Sequence, residues 1–334
     1  MASPAIPWNL KLLFYVMCAV ADFSVRKDGT INRRLLEFLE FMAPANHRPV
    51  KGVSTADFTV DERTGLWLRL FSPAGVSAGE KLPVVVFFHG GGFVYLKANS
   101  RHYDAVCRRF ARRLRAFIVS VDYRLAPEHR FPTAYDDAEA AVKWISKPGR
   151  LPESADLRRC FLAGDSAGAN IVHHVGSRIA ATLKSEAPNR DDFRQLRIAG
   201  HVLIQPYFGG EERLPSELRL RHAPIAALKR TDNLWRLFLP DGSDRDHPSA
   251  NVLGPRAPDL AGLGLPRSLV VIGGFDQLQD RQRLYYERLR KAGVEARLVE
   301  YPKVVHAFYL FPQFPESREL LSEIKSFMEE HQLQ

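Results

Sequence analysis

Short apolar segments alternate with helix-like segments along most of this 334-residue chain. Residues 82–89, "LPVVVFFH", are apolar almost throughout, which is typical of a strand buried on both faces of a parallel sheet. Five later segments share this character: "AFIVSVDY", "RCFLAG", "HVLIQPY", "SLVVIGG" and "ARLVEY". Helical patterns separate them, at residues 103–114, 135–146, 169–183, 280–292 and 317–330. This alternation predicts an α/β domain with a mainly parallel central sheet flanked by helices.

The N-terminal residues predict helices that stand outside this alternation. Residues 12–21, "LLFYVMCAVA", form an apolar run that is too short for a membrane span. Lys11 before the run and Ala19-x-Ala21 at its end resemble the core of a signal peptide. We favour a retained amphipathic helix, because a second helix-like segment, "RKDGTINRRLLEFLE", follows soon after. Residues 54–61 and 66–73 then predict a β-hairpin.

A second region that departs from the alternation spans residues 207–266. It is rich in proline, glycine and charge, with one helical stretch near residues 232–239. A segment of this length is too long for a plain connection between a strand and the next helix. We expect a single domain over residues 1–334, in which this excursion and the N-terminal helices of residues 1–45 form a lid over a pocket.

Composition excludes several other classes of protein. Hydrophobic residues make up 46% of the chain and charged residues 25%, as in soluble globular proteins. The net charge is +9, and a basic excess can indicate nucleic-acid binding. The densest basic run, residues 108–115, however, has the pattern of a solvated helix face, and no nucleic-acid-binding motif accompanies it. The three cysteines form no CxxC pair, which argues against a disulfide scaffold or a zinc cage. We therefore expect a cytoplasmic protein, also found in the nucleus, without a membrane span or a nucleic-acid partner.

The segment "CFLAGDSAGANIVHH" carries the strongest chemical signal. Its residues 164–168 match G-x-S-x-G, with an apolar strand before them and a helical pattern after them. This context is that of a nucleophile elbow, a tight strand-to-helix turn that exposes a reactive serine. The pattern predicts Ser166 as a nucleophile, with the backbone amide of Ala167 available to a developing oxyanion.

A second signal, "HGGGF", follows directly on the apolar segment of residues 82–89. Three successive glycines allow backbone N–H groups to approach a substrate oxygen without obstruction from side chains. We predict an oxyanion hole formed by Gly90, Gly91, Gly92 and Ala167. His89 is more plausible as a brace of this loop than as a general base.

A serine nucleophile needs a base, and α/β-hydrolases supply Ser, Asp or Glu, and His in that chain order. His306 lies in "VVHAFYLF", after the last apolar segment and before the last helical pattern. Asp276 follows the segment "SLVVIGG" directly, whereas Asp280 falls inside the next helix. We therefore predict the triad Ser166, Asp276 and His306, with Asp280 as a charge at the start of its helix.

Several motifs together are similar to those of the plant carboxylesterases of the hormone-sensitive-lipase-like family of α/β-hydrolases. They are "HGGGF", "DYRLAPEHRFPTAYDD", "GDSAGAN", "GGFDQLQD" and "VVHAFYLFP", and the resemblance covers nearly the whole chain. It implies the α/β-hydrolase fold and hydrolysis of a small, fairly apolar ester by Ser166, Asp276 and His306. It implies neither a cofactor nor a metal.

The chain also resembles the soluble gibberellin receptors of plants, in "RKDGTINRRLLEFLE", "FGGEERLPSE" and "DGSDRDHPSAN". Those receptors lack the histidine of the triad and carry serine at the position of Gly92, so that His306 and Gly92 here both favour catalysis. The alternative function is a hormone-binding protein with little turnover, and only that reading implies a protein partner.

The receptor resemblance suggests further contacts with the ligand. Arg213 corresponds to a ligand-fixing arginine and Tyr103 to a ligand-contacting tyrosine, and Asp165 beside the nucleophile is a third candidate. A guanidinium at a pocket edge suits a carboxylate. The other interpretation of Arg213 is an ion pair with one of the nearby acids Glu211, Glu212 and Glu217.

Overall fold

A computed structural model describes residues 6–186 and 188–330, and within them eight strands form one sheet. The sheet order is β1-β2-β4-β3-β5-β6-β7-β8. Strands β3 to β8 are parallel to one another, and the hairpin β1–β2 adds two antiparallel strands at one edge. The bounds are β1 Val53–Asp61, β2 Leu66–Pro73, β3 Leu82–Phe88, β4 Phe117–Asp122, β5 Ala155–Asp165, β6 Ile198–Ile204, β7 Ser268–Phe275 and β8 Ala296–Val305. The predicted hairpin and mainly parallel sheet are confirmed.

Most helices lie where the sequence pattern predicts them, with ends that differ by a few residues, but the short helix Pro215–Arg219 in the excursion was not predicted. Their bounds are α1 Trp8–Ser24, α2 Arg33–Leu39, α3 Arg101–Leu114, α4 Thr133–Ile145, α5 Ala167–Lys184, α6 Pro215–Arg219, α7 Leu228–Phe238, α8 Gln279–Lys291 and α9 Glu316–Glu329. Short 3₁₀ turns occur at Pro188–Phe193 and Phe308–Leu310. None of the helices within the described ranges has the length and apolar character that crossing a membrane requires.

Strand β3 shows why its sequence is apolar throughout. Val84, Val86 and Phe88 belong to the core on one face of the sheet, while Val85 and Phe87 belong to the core on the other face. Because successive side chains of a strand point to opposite faces, a central strand with helices on both sides must be apolar at every position. The continuous apolar run is thus a consequence of burial on both faces.

Helix α1 docks on the sheet domain through two of its apolar residues. Leu10 and Phe14 are buried, and the ring of Phe14 meets that of Phe311 at 4.9 Å in an edge-to-face arrangement. At its other end, Asp22 accepts two hydrogen bonds from the guanidinium of Arg230 on α7, at 2.9 and 2.8 Å. The apolar run of residues 12–21 is therefore part of a helix that packs on the protein.

Helix α2 is attached to the loop that follows β3. The guanidinium of Arg33 donates to the carbonyl of Val94 at 2.5 Å and to that of Ala126 at 2.6 Å. It also pairs with Glu128 at 2.6 Å. A hydrogen-bonded arginine that spans two loops holds α2 against the body of the protein.

The excursion between β6 and β7 contains α6 and α7. The ring of Trp235 on α7 stacks on Tyr207 at 4.2 Å, and that of Phe238 stacks on Phe93 at 3.7 Å. Because Phe93 directly follows the three glycines, helix α7 lies beside the predicted oxyanion loop.

Candidate active site

Ser166 occupies the turn between β5 and α5 in a strained backbone conformation. Its φ of 52° and ψ of −117° lie outside the regions that residues with a β-carbon favour. Such strain persists only where the surroundings enforce it, and it is common at catalytic residues. The predicted strand-to-helix context of Ser166 is therefore present in the structure.

The glycines on either side of Ser166 are required by close backbone approach. A β-carbon on Gly164 would lie 2.4 Å from the backbone carbon of Gly168, and one on Gly168 would lie 1.9 Å from the carbonyl oxygen of Phe88. Both distances are far below a normal van der Waals contact. The spacing G-x-S-x-G therefore reflects the tight packing of α5 against the ends of β5 and β3.

Asp276 and His306 lie together at the carboxyl edge of the sheet. Asp276 follows the last residue of β7, and His306 follows the last residue of β8. The Nδ1 of His306 donates to Oδ2 of Asp276 at 2.7 Å, and both side chains are buried. Burial alone would lower the pKa of His306, but the Asp276 carboxylate outweighs it and raises that pKa above its ordinary value.

Two glutamines that the sequence analysis missed complete the surroundings of Asp276. Gln205 and Gln282 each donate from Nε2 to Oδ2 of Asp276 at 3.1 Å, and the backbone N–H of Leu278 donates to Oδ1 at 3.0 Å. With His306, four donors therefore meet this carboxylate. Gln205 could have been found by the same signal as Asp276, since both are polar residues directly after a buried parallel strand.

Asp280, the other acid considered, is occupied elsewhere. It lies in the first turn of α8, and its Oδ2 accepts a hydrogen bond from the backbone N–H of Ser216 at 2.8 Å. A carboxylate in the first turn of a helix is also favoured by the helix dipole. Its contacts are those of a residue that fixes the excursion to α8.

The glycine loop after β3 adopts conformations that side chains would prevent. Gly91 and Gly92 have φ values of 108° and 63°, which favour glycine. A β-carbon on Gly91 would lie 2.1 Å from the carbonyl oxygen of Tyr95, and one on Gly92 would lie 2.4 Å from Cδ1 of Leu234. Side chains at both positions are thus excluded unless their surroundings move.

Gly90 does not fit the donor role that the sequence analysis gave it. Its backbone N–H lies 2.7 Å from the hydroxyl of Tyr103 and 2.8 Å from Oδ1 of Asp165. A donor already engaged by two buried oxygens is not available to a substrate oxyanion. Gly91, Gly92 and Ala167 remain as candidate oxyanion donors.

The same contacts change the interpretation of Tyr103 and Asp165. Both are buried, and the Tyr103 hydroxyl donates to the Asp165 carboxylate at 3.0 Å. Burial raises the pKa of Asp165 to about 6. These two side chains hold Gly90 inside the protein, so that we assign them to positioning the glycine loop rather than to contact with a substrate.

His89 is a buried brace of the glycine loop. Its Nδ1 donates to the carbonyl of Gly90 at 2.8 Å, and its ring stacks on that of Tyr123 at 4.3 Å. Burial lowers the pKa of His89 to about 4, and the ring is therefore neutral near pH 7. These contacts agree with the bracing role expected from the sequence.

Arg213 forms an ion pair with an acid that the sequence analysis did not consider. Its two terminal nitrogens donate to the two oxygens of Asp232, at 3.0 and 2.6 Å. Glu217, one of the acids considered, lies at 3.8 Å. Because Asp232 is 19 residues away on α7, this pairing depends on the packing of the excursion. The bidentate pair favours a structural role for Arg213.

Comparison with known proteins agrees with this fold. The pattern of the Abhydrolase_3 family, an alpha/beta hydrolase fold, matches residues 85–310. The chain belongs to this family. It is 42% identical to the gibberellin receptor GID1C of Arabidopsis thaliana, over 98% of this chain and 95% of the receptor. It is 36% identical to carboxylesterase 20 of the same plant, over 90% of this chain and 93% of that protein.

Solved structures of esterases share the same architecture. The hyperthermophilic esterase from the archaeon Pyrobaculum calidifontis superposes with a TM-score of 0.74 at 29% identity, over 98% of this chain and 99% of the esterase. This family member is therefore similar to enzymes that cleave esters and to receptors that bind a hormone. Within residues 6–186 and 188–330, no group of three or more His, Cys, Asp or Glu side chains is placed to hold a metal ion.

Proposed function

We propose that this α/β-hydrolase is a carboxylesterase that cleaves a small, fairly apolar carboxylic ester. The observation that carries the proposal is the buried hydrogen bond between His306 and Asp276, at the sheet edge where β5 delivers the strained Ser166. An anionic partner stabilises the imidazolium that forms when a histidine takes a proton from serine. A histidine that only filled space in the core would not need such a partner.

In the first step, Oγ of Ser166 attacks the carbonyl carbon of the ester while His306 accepts the proton of the Ser166 hydroxyl. The tetrahedral oxyanion accepts hydrogen bonds from the backbone N–H groups of Gly91, Gly92 and Ala167. His306 then returns the proton to the leaving alcohol. The product of this step is an acyl group bound to Ser166.

In the second step, a water molecule attacks the acyl-enzyme, and His306 takes its proton as general base. Ser166 leaves with that proton and the carboxylic acid is released. Asp276 accepts hydrogen bonds from four donors, which hold its carboxylate against the imidazole of His306 while the ring carries the extra proton. The cycle needs no cofactor.

Helices α1 and α2, together with the excursion at residues 207–266, form the roof of the proposed substrate pocket. Helix α7 packs next to the glycine loop through Phe93, and α1 is tied to α7 by Asp22 and Arg230. Substrate selection then depends on side chains of the roof, which lie far apart in sequence. In this proposal residues 1–334 form one domain.

A hormone-binding protein is the second candidate, and two observations favour it. The chain is 42% identical to a gibberellin receptor. Its N-terminal segment also exposes five aromatic side chains that are between 72% and 83% accessible, namely Trp8, Tyr15, Phe23, Phe38 and Phe41. Exposed apolar side chains in this number are typical of a surface that meets a partner. This candidate predicts tight binding of a gibberellin with little turnover.

Hydrolysis of p-nitrophenyl acetate by the wild type and by Ser166→Ala and His306→Ala distinguishes the two candidates. If the proposal is right, either substitution lowers kcat by at least ~10³-fold, because both residues act as one unit. His222→Ala is the matched control, since that histidine is exposed in the excursion, and it retains wild-type kcat.

The opposite result is equally informative. Equal, very slow turnover by the wild type and by Ser166→Ala contradicts the esterase. Titration calorimetry with a gibberellin then tests the second candidate directly.

A further inference from the structure

We propose that Gln205 is a positioning residue that ties the acid of the triad to the loop that carries its base. The proposal deepens the esterase function and rests on it. Gln205 is the first residue after β6 and is 1% exposed. Its side chain reaches both β7 and β8, the two strands whose ends present Asp276 and His306.

The amide of Gln205 contacts three different points of the site. Its Nε2 donates to Oδ2 of Asp276 at 3.1 Å and to the carbonyl of Val305 at 3.2 Å. Its Oε1 accepts a hydrogen bond from the backbone N–H of Ala307 at 2.8 Å. One side chain therefore bonds to the acid and to the residues on both sides of His306.

This geometry requires an amide. A primary amide supplies two donors and an acceptor in one plane, and each is used here. Ala307 lies beyond the end of β8, and its N–H has Oε1 of Gln205 as its acceptor. Without Gln205, a buried N–H and a buried carbonyl on either side of His306 would lose their partner, and the loop would be free to shift.

The position of Gln205 is itself restricted. Its backbone has a φ of 46°, and its N–H donates to the carbonyl of Val271 on β7 at 2.9 Å. A β-carbon on Gly273 would lie 2.5 Å from Nε2 of Gln205, so that the glycine leaves just enough space for the amide. The backbone and the neighbouring strand therefore both direct this side chain towards the triad.

Gln282 has only one of these roles. It donates to Oδ2 of Asp276 at 3.1 Å and to the carbonyl of Pro206 at 3.2 Å, and so its hydrogen bonds hold the acid. Gln205 holds the acid and the base loop together. This difference predicts that loss of Gln205 misplaces His306 relative to Ser166, which a loss of Gln282 alone does not do.

The first test compares Gln205→Met with the wild type in p-nitrophenyl acetate hydrolysis. Methionine keeps the length of the side chain and removes its three hydrogen bonds. We expect kcat to fall by ~10²-fold with KM nearly unchanged, because a small misplacement of a catalytic group slows chemistry more than binding. Thr55→Val is the matched control, because Thr55 is a buried residue of β1 at the far edge of the sheet and its hydroxyl accepts hydrogen bonds from the N–H of Asn46 at 2.7 Å and from Arg108 at 3.2 Å.

The second test uses the pH profile of Gln205→Glu. A protonated glutamic acid still donates to Asp276 and accepts from Ala307, whereas its anion repels Asp276, because two neighbouring carboxylates resist joint ionisation. We expect kcat/KM of this variant to fall on the alkaline side as Glu ionises, where the wild type keeps its plateau. A residue that served stability alone would lower the whole profile without changing its shape.

A third measurement does not depend on turnover. The proton on Nδ1 of His306, hydrogen-bonded to Asp276, gives a far-downfield proton NMR signal that His306→Ala identifies. We expect Gln205→Met to lose or broaden this signal through exchange with water. If the wild type is no faster than Ser166→Ala, the proposed function fails, and the NMR comparison still decides the role of Gln205. If Gln205→Met retains the signal, or retains kcat within about threefold in an active enzyme, the inference is wrong.

Discussion

Asp276→Asn removes one negative charge from the proposed triad without changing the size of the side chain. In the structure, three N–H donors meet Oδ2 of Asp276, from His306, Gln205 and Gln282. An asparagine at this position therefore turns its carbonyl oxygen towards these donors and its NH₂ towards the backbone N–H of Leu278. The tautomer of His306 that donates from Nδ1 is retained, and the main change is the loss of the charge.

The size of the effect follows from the short distance within the pair. His306 Nδ1 lies 2.7 Å from Asp276 Oδ2. Two unit charges centred about 4 Å apart attract by about 4 kcal/mol at an effective dielectric constant of about 20. Only the transition state, in which the imidazole is protonated, loses this attraction. Since each 1.36 kcal/mol is worth about tenfold in rate, we expect kcat to fall by ~10³-fold.

The same substitution has a separate effect on stability. The N–H of Leu278, which donates to Oδ1 of Asp276 at 3.0 Å, faces an NH₂ group in the variant and loses its acceptor. A buried donor without a partner costs about 1–3 kcal/mol. Urea denaturation followed by circular dichroism measures this loss, and kcat with p-nitrophenyl acetate measures the loss of charge.

Asp280→Asn is the control for Asp276→Asn, because Asp280 lies one helical turn further on and bonds to the backbone of Ser216. We expect its kcat to stay within about threefold of the wild type. A kcat for Asp276→Asn within tenfold of the wild type would contradict the role of Asp276 as the acid of the triad. So would a larger loss in Asp280→Asn than in Asp276→Asn, since Asp280 would then be the acid of the triad.

Two further predictions concern stability. Arg33→Ala removes hydrogen bonds to the carbonyls of Val94 and Ala126, and we expect it to lower the free energy of unfolding by about 2 kcal/mol. Arg34→Ala, at an exposed neighbouring position, should leave that free energy unchanged. Equal losses of stability in the two variants would contradict the role of Arg33 in anchoring α2. Burial lowers the pKa of His201 to about 3, so that between pH 6.5 and 3 the unfolded chain binds a proton that the folded protein does not, and the free energy of unfolding falls as the pH falls. We expect His201→Leu to reduce this pH dependence by up to about 1.4 kcal/mol per pH unit. An unchanged pH dependence would show that His201 is protonated in the folded protein.

The order of the elements could be predicted from sequence because it depends on local patterns. The strand β3 is apolar at every position since helices cover both faces of the sheet, and the helices show the period of a single buried face. The nucleophile elbow at Ser166 could be predicted equally well, because the close approach of Gly164 and Gly168 to neighbouring backbone leaves no room for side chains and so requires glycine at both positions.

The partners of individual polar groups could not be predicted in this way. Gly90 was expected to donate to a substrate, but its N–H is taken by Tyr103 and Asp165, which lie 13 and 75 residues away. An ion pair of Arg213 with one of three nearby glutamates was considered from the sequence, yet its main partner is Asp232 on α7. Hydrogen bonds of this kind depend on which loops meet, and sequence spacing carries no information about that.

The class of fold, the tight strand-to-helix turn at Ser166 and the order in which serine, acid and histidine follow the strands could all be predicted from the residue pattern alone. These features rest on short-range steric requirements and on the burial of whole segments, which residue patterns express directly. The choice of Asp276 over Asp280 was also made from the sequence, because Asp276 directly follows a strand, but the contacts of Gln205 with Asp276 and with the loop of His306 become visible only in the folded protein. Those contacts arise where β6, β7 and β8 end side by side, because parallel pairing brings together residues that are far apart along the chain.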